Sequence, residues 1–261
     1  MLLAVNVGNT NTVLGVFRGA SLEHQWRAST EPDRTADELA VLFAGLLDQA
    51  GLSFSNQITG VVVSSVVPTS TSALRDMVNR YFNFPPVLVE PGTRTGLPIL
   101  TDNPRELGAD RVVNALAAFS RYGGPCIVID FGTATTYDAV SEKGEFLGGA
   151  ISPGIQTKNA SLSRETARLP QVELQAPRSG VGKNTVEAIQ SALIFGTAAE
   201  ADGMIDRMRK ELGGSATVVA TGGLAPVIVP YCQFVDEHDP WLTLEGLRLV
   251  FERNVGPADD A

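Results

Sequence analysis

The sequence predicts an α/β protein built as two similar lobes, each a mixed β-sheet with flanking helices. Three observations lead there. Strand-like apolar runs alternate with helix-like amphipathic stretches along the 261 residues. An opening pattern of apolar run, Gly/Thr turn and apolar run occurs twice, about half a chain length apart. Hydrophobic residues make up 44% and charged residues 19%, so the chain can bury a sizeable core without disulfides or metals.

The elements follow in order. Leu2 to Val7 is a short apolar run that ends in Gly8-Asn9-Thr10-Asn11-Thr12, and Val13 to Phe17 returns from it as a second strand before Arg18-Gly19. Thr35 to Ala50 reads as a helix with Leu39, Leu42, Phe43, Leu46 and Leu47 on one face, stopped by Gly51. Gly60 to Val67 is a buried strand, Ser70 to Tyr81 an amphipathic helix, Val87 to Val89 a strand and Pro91 to Glu106 a loop. Asp110 to Tyr122 reads as a helix with Val113, Leu116, Ala117 and Phe119 inward. Ile127 to Asp130 is a strand, Phe131 to Thr136 a turn, Tyr137 to Val140 the returning strand and Phe146 to Ile151 a third. Helices over Ile155–Leu169, Val186–Leu212 and Leu242–Asn254 and a strand over Thr217–Ala220 complete the chain, with a frayed tail from Val255 to Ala261.

The repeat supplies the division into lobes. Asn6-Val7-Gly8-Asn9-Thr10-Asn11-Thr12 matches Asp130-Phe131-Gly132-Thr133-Ala134-Thr135-Thr136, each after an apolar run. The expected lobes are residues 1–115, with the first loop, and 116–261, with the second loop and a Thr221-Gly222-Gly223 turn.

Charge and cysteine content narrow the function classes. A net charge of −9 argues against a general grip on nucleic acid. An acidic protein that binds an anion must compensate locally, with backbone N–H groups, a few Arg/Lys or a cation. The two cysteines, Cys126 and Cys232, make no disulfide framework, and Cys126 sits in an apolar run that suits a buried thiol. The N-terminus lacks a basic segment and a long apolar stretch, and no run is long enough to span a membrane. The expectation is a cytoplasmic protein without membrane contact.

The Gly/Thr loops are the chemically suggestive segments. Gly8 and Gly132 allow a backbone to approach a phosphate, successive turn N–H groups form an anion-binding concavity, and Thr and Asn add neutral hydrogen bonds. Asp130, just before the second loop, suits a cation or a cation-bound water. Neither loop has the Gly-x-x-x-x-Gly-Lys-Ser/Thr or Gly-x-Gly-x-x-Gly pattern, so from the residues alone ordinary turn chemistry stays open beside phosphate binding. In Gly108-Ala109-Asp110-Arg111, Asp110 reads first as a helix N-cap and Arg111 as a surface ion pair. The competing reading is a proton acceptor beside a cation. His24 and His238 stand in no catalytic pattern.

Taken together the motifs resemble the type III pantothenate kinases. Those carrying the resemblance are Gly8 to Thr12, Asp102-Asn103-Pro104-Arg105 with Gly108 to Arg111, Asp130 to Thr136 and Gly148-Gly149-Ala150-Ile151-Ser152-Pro153-Gly154. Lys183-Asn184-Thr185-Val186-Glu187-Ala188, Thr221 to Ala225, and Asp239-Pro240 through Leu244 to Arg248 continue it. The resemblance spans Leu2 to Asn254. It implies an actin-like, ribonuclease H-like duplicated fold, a homodimer, and phosphorylation of pantothenate with Mg-ATP and a monovalent cation, K+ or NH4+. Carried over residue by residue, Asn6, Val7, Gly8, Asn9, Thr10, Asn11, Thr12 and Val13 would bind ATP. Thr133 would contact ATP, and Gly222 and Gly223 would lie against its ribose and base. Gly108, Ala109, Asp110, Arg111 and Thr185 would bind pantothenate, with Asp110 as proton acceptor. Asp130 would hold the monovalent cation.

One position departs from the family pattern, which carries Asp where this chain has Asn6. Asn keeps the shape and one acceptor oxygen and loses the charge. An active pantothenate kinase is therefore the leading expectation, and a homologue that binds nucleotide or pantothenate with low or no turnover is the alternative.

Overall fold

The computed structural model describes residues 1–54, 57–82 and 84–255; the expected frayed tail falls, apart from Val255, outside them. In chain order the elements are β1 (Leu2–Val7), β2 (Asn11–Arg18), β3 (Ser21–Ser29), α1 (Ala36–Asp48), β4 (Gly60–Ser65), α2 (Pro68–Tyr81) and β5 (Val87–Leu88). A short 3-10 turn, Pro104–Glu106, precedes α3 (Ala109–Tyr122). Then come β6 (Cys126–Phe131), β7 (Ala134–Val140), β8 (Phe146–Pro153), α4 (Ile155–Glu165), α5 (Thr185–Glu211), β9 (Thr217–Thr221), α6 (Ala225–Ile228), a 3-10 turn (Val229–Tyr231), β10 (Glu237–His238) and α7 (Leu242–Val255).

The described residues form two five-stranded sheets, ordered β3-β2-β1-β4-β5 and β10-β9-β6-β7-β8. In the first, β1, β2 and β3 form an antiparallel meander, and β4 and β5 add parallel to β1. In the second, β6, β7 and β8 form the meander, and β9 and β10 add parallel to β6. The two sheets share one topology, so the repeat of the Gly/Thr loops extends to the strands around them.

The chain separates into two compact units. One holds Met1–Leu97, Asn103–Ala117 and the chain from Thr243; the other holds Pro98–Asp102 and Ala118–Leu242. This differs from the linear division at residue 115 in Pro98–Asp102, which belong to the second unit, and in the closing helix, which from Thr243 belongs to the first. Sequence position cannot show why, but packing does. Leu244 of α7 lies where a methyl group on Gly15 of β2 would sit, 2.7 Å away. The ring of Phe251 covers Gly60 of β4, and Gly246 brings α7 against the backbone of Val113 in α3.

Within the first unit, alternate residues of β1 and β4 serve two faces. Leu3, Val5, Val7, Val61 and Val63 pack with Leu39, Phe43, Leu47, Leu74, Met77 and Val78 of α1 and α2. Leu2, Ala4 and Val62 are buried as well, which is why these strands read as continuous apolar runs. Thr35 starts α1 through a capping box with Glu38, and Pro68 starts α2, two residues earlier than the apolar pattern predicts. Strand β3 has no counterpart in the sequence expectations, because it is polar and lies at the sheet edge with alternate residues exposed.

In the second unit Ile127, Ile129, Phe131 and Tyr137 face Ile189, Leu193, Ile194, Ala198, Ala201 and Ile205 of α5. Strand β7 begins at Ala134, inside the expected turn, because its ladder with β6 closes as far as Phe131 opposite Thr135. Helix α4 ends at Glu165, short of the expected Leu169. Cys126 is buried, and burial pushes its thiol up to about 12, in keeping with an inert core residue. Among the described residues no helix is long and apolar enough to cross a membrane.

Candidate active site

The first loop is the tip of the β1–β2 hairpin. Gly8 N–H donates to the Asn11 carbonyl at 3.0 Å and closes it. A residue outside the predicted set braces it: Thr30, just after β3, donates from its hydroxyl to the Gly8 carbonyl at 2.8 Å. Thr30 also lies 3.0 Å from the Thr12 hydroxyl, and its N–H donates to the Thr10 carbonyl at 2.9 Å. Asn9, Thr10 and Asn11 are exposed at the tip. The polar edge strand that sequence patterning misses therefore delivers the clamp for the loop.

Asn6 closes the buried end of this segment. Its Oδ1 has no hydrogen-bond partner, and neither has the Ser64 hydroxyl, which is fully buried on the neighbouring strand. Leaving a buried polar group unpaired costs about 1–3 kcal/mol. Mg2+ keeps most of its waters and is bound through few protein groups and the phosphates of its nucleotide. Among the described residues no group of three or more His, Cys, Asp and Glu gathers to hold a metal. At position 6 the loop offers one neutral amide oxygen and no charge.

Asp110 belongs to the same unit. Helix α3 starts at Ala109, so Asp110 is its second residue rather than its cap; the Val112 N–H donates to the Gly108 carbonyl at 3.2 Å. The Asp110 carboxylate folds back toward Gly108, where a Cβ would stand 2.6 Å from Oδ1, and accepts the Arg111 N–H at 2.9 Å. Burial raises the pKa of Asp110 above the ordinary carboxylate value, and this outweighs the opposing pull of the Arg111 N–H and guanidinium. A desolvated carboxylate with a raised pKa is the better proton acceptor.

The second loop, Gly132-Thr133, is the tip of the β6–β7 hairpin. Gly132 N–H donates to the Ala134 carbonyl at 3.0 Å, in parallel with Gly8. The Asp130 carboxylate lies beside it, 3.3 Å from where a Gly132 Cβ would be, and also against Gly222. Strands β6 and β9 run parallel with Asp130 beside Thr221, so the Gly222-Gly223 turn emerges next to that carboxylate. Thr133 is exposed, and its carbonyl accepts from Gly154 N–H at 3.1 Å and from the Thr157 hydroxyl at 2.9 Å. Those bonds dock the loop on the first turn of α4, whose dipole favours an anion there. Thr157 is a neighbour of this loop that the sequence reading does not name, whereas Gly154 stands in the motif that runs from Gly148 to Gly154.

Two further features complete the second unit. Asp138, fully buried on β7, shares a sheet face with Asp130 through Thr136, whose hydroxyl lies 3.5 Å from Asp138 Oδ2. Thr185 belongs to a separate feature, as the exposed first residue of α5, where Asn184 caps the Glu187 N–H at 2.9 Å. Of the predicted residues, the structure thus groups Asn6 to Val13 on one hairpin, Gly108 to Arg111 on one helix start, and Asp130, Thr133, Gly222 and Gly223 around one hairpin end. His24 stacks on Trp26 at the first sheet's edge and His238 is exposed, with no role in these groups.

Comparison with known proteins gives a consistent result. The sequence profile of the type III pantothenate kinases matches residues 2–207. A type III pantothenate kinase of Streptomyces griseus is 52% identical over 265 residues, covering 99% of this chain and all of that protein. One of Acidothermus cellulolyticus is 54% identical over 256 residues, covering 98% and 99%. Among solved structures, the activator of the 2-hydroxyisocaproyl-CoA dehydratase from Clostridium difficile, with bound ADPNP, superposes with a TM-score of 0.56 at 13% identity, covering 97% of this chain and 95% of that one. The ROK hexokinase from Thermus thermophilus does so with a TM-score of 0.51 at 14% identity, covering 95% and 97%.

Proposed function

The chain belongs to the type III pantothenate kinase family and phosphorylates pantothenate with ATP on the way to coenzyme A, and we propose that Asp110 is the base of that reaction. Its fold is that of the actin-like ATPases. The observation that carries the assignment of the base is the desolvated carboxylate of Asp110 at the start of α3, with Arg111 beside it.

In this reading Asp110 takes the proton of the primary hydroxyl of pantothenate while that oxygen attacks the γ-phosphorus of ATP. The new O–P bond forms as the bond to the β,γ-bridging oxygen breaks, and ADP leaves with that electron pair. Phosphoryl transfer through a loose transition state needs mainly positioning and charge neutralisation. Gly108, Ala109 and Arg111 bind pantothenate with Asp110, the guanidinium meeting its carboxylate, and Thr185 adds a polar contact. Asn6 to Val13 and Thr133 bind the phosphates, and Gly222 and Gly223 pass along the ribose and base. When bound, Mg2+ neutralises phosphate charge. Asp130, flanked by two glycines that leave room beside its carboxylate, holds a monovalent cation, K+ or NH4+.

The working protein in this proposal is a cytoplasmic homodimer. Supporting the dimer, strand β8 is an edge of the second sheet and carries exposed Ile151 and Leu147, with Leu100 exposed next to it through the bond from its N–H to the Phe146 carbonyl. An apolar patch on a strand edge suits a second copy of the chain.

A coupled assay of ADP release tests the reading. Turnover should require pantothenate, ATP, Mg2+ and K+ or NH4+, and should fall by roughly 10²- to 10⁴-fold in Asp110→Asn. Binding of ATP without turnover, unrestored by Asn6→Asp, would instead support a non-catalytic homologue.

A further inference from the structure

The two hairpin loops are tied down in the same way, from the same place in the repeated topology. In the first unit the chain leaving β3, the third strand of its meander, gives the first loop one N–H and one hydroxyl. Both belong to Thr30, which donates to the Thr10 carbonyl at 2.9 Å and to the Gly8 carbonyl at 2.8 Å. In the second unit the chain leaving β8, again the third strand of its meander, gives the second loop one N–H and one hydroxyl. The Gly154 N–H at 3.1 Å and the Thr157 hydroxyl at 2.9 Å both donate to the Thr133 carbonyl. The repeat of loops and strands therefore extends to the tie between them.

Gly154 shows what the second junction is shaped for. Its φ of −65° and ψ of 162° are open to any residue, so backbone conformation does not call for glycine. Its place as N-cap of α4 does not either, since Ser, Asn and Asp cap a helix at least as well and Gly154 makes no side-chain cap. Space does. A Cβ on Gly154 would stand 2.5 Å from the Thr133 carbonyl oxygen and closer still to that of Gly132. Only glycine lets the start of α4 come this close to the loop.

We propose that the β8–α4 junction is the clamp of the second loop, with Gly154 and Thr157 as positioning residues for ATP. The inference rests on the reading of Thr133 as a phosphate contact. A carbonyl oxygen turned toward a phosphate repels it, and one held by two donors of the junction cannot swing that way. A loop fixed before the nucleotide arrives also loses less freedom on binding. Both residues act through the Gly132-Thr133 backbone rather than on the nucleotide itself.

Steady-state kinetics of the full-length protein, with ATP and pantothenate varied in turn, test this on Gly154→Ser, Thr157→Val and Thr157→Ser. Serine at position 154 keeps a good N-cap while placing a Cβ against the loop, so a residue that served only the helix would tolerate it. The KM for ATP should rise about ten- to hundredfold in Gly154→Ser, as for a displaced loop. It should rise about three- to tenfold in Thr157→Val, as for one lost hydrogen bond. The KM for pantothenate should change by less than about twofold in both. Thr157→Ser, which keeps the hydroxyl, should recover most of the loss. Should Gly154→Ser not fold, the two Thr157 variants carry the comparison by themselves. An unchanged KM for ATP overturns the proposal, as do equal rises in both KM values. Thr133→Ala separates that failure from failure of the underlying reading. If it raises the KM for ATP while the junction variants do not, the loop binds ATP without the clamp. If it too has no effect, Thr133 is no phosphate contact and the reading falls with the proposal.

Discussion

The carboxylate of Asp130 lies where a side chain on Gly222 would begin. A methyl group at Gly222 would press on Asp130 Oδ1 and on the backbone of Phe131, and the residue's φ of +96° is strained for any other side chain. Gly222→Ala should therefore displace Asp130. The half-saturating K+ concentration for ADP release should rise several-fold, and the strain should cost about 1–3 kcal/mol of stability. A K+ titration beside urea unfolding checks both, and an unchanged K+ response would detach Asp130 from the cation.

Asp110→Asn should lower kcat by roughly 10²- to 10⁴-fold, the usual contribution of a positioned base, without loss of stability. The sign follows from the raised pKa. The folded state holds the Asp110 proton more tightly than the unfolded chain does, so above the folded pKa the ionised group opposes folding, and this penalty fades as pH falls toward the unfolded value. Asn removes the penalty, and the variant's Tm at pH 7 should equal or exceed that of wild type. The acid limb of kcat/KM should lie above the ordinary Asp value of 3.8. A large drop in Tm with Asp110→Asn would contradict this account.

Thr30→Val removes the hydroxyl that holds the Gly8 carbonyl and the Thr12 side chain while keeping its size. The KM for ATP should rise about tenfold, as for one or two lost hydrogen bonds, with the KM for pantothenate little changed. Steady-state kinetics with each substrate varied decide it; equal rises in both would point to a general loss of structure.

Phe251→Ala should destabilise the protein by about 3–5 kcal/mol, because the ring covers Gly60 in the first unit. Urea unfolding measures the loss, and a chain ended before Thr243 should leave the first unit without its closing helix and unable to fold stably. Soluble, cooperative unfolding of such a truncation would refute the assignment of α7 to that unit.

Much of this architecture is legible in the residues. The Leu2–Val7 run, the strand expected over Gly60–Val67 and the leucine face of the helix expected over Thr35–Ala50 come from local pattern, because continuous apolar strands and amphipathic helices are local statements of burial. Strand β3 escapes the reading because it is a polar edge strand, recognisable only by its pairing with β2. Thr30 escapes with it. Asp110 reads locally as a cap and becomes a base candidate through its motif and its burial, the first a matter of resemblance and the second of packing.

By itself, then, the sequence determined the repeated β-turn-β opening, the Gly/Thr loops and the resemblance that names the substrate, since all of these are carried by contiguous residues. Only the tertiary structure decided that α7 completes the first unit, that Thr30 clamps the first loop and that Gly222 makes room for Asp130. Each of those is a contact between residues far apart in the chain, fixed by strand register and helix packing rather than by anything the neighbouring residues encode.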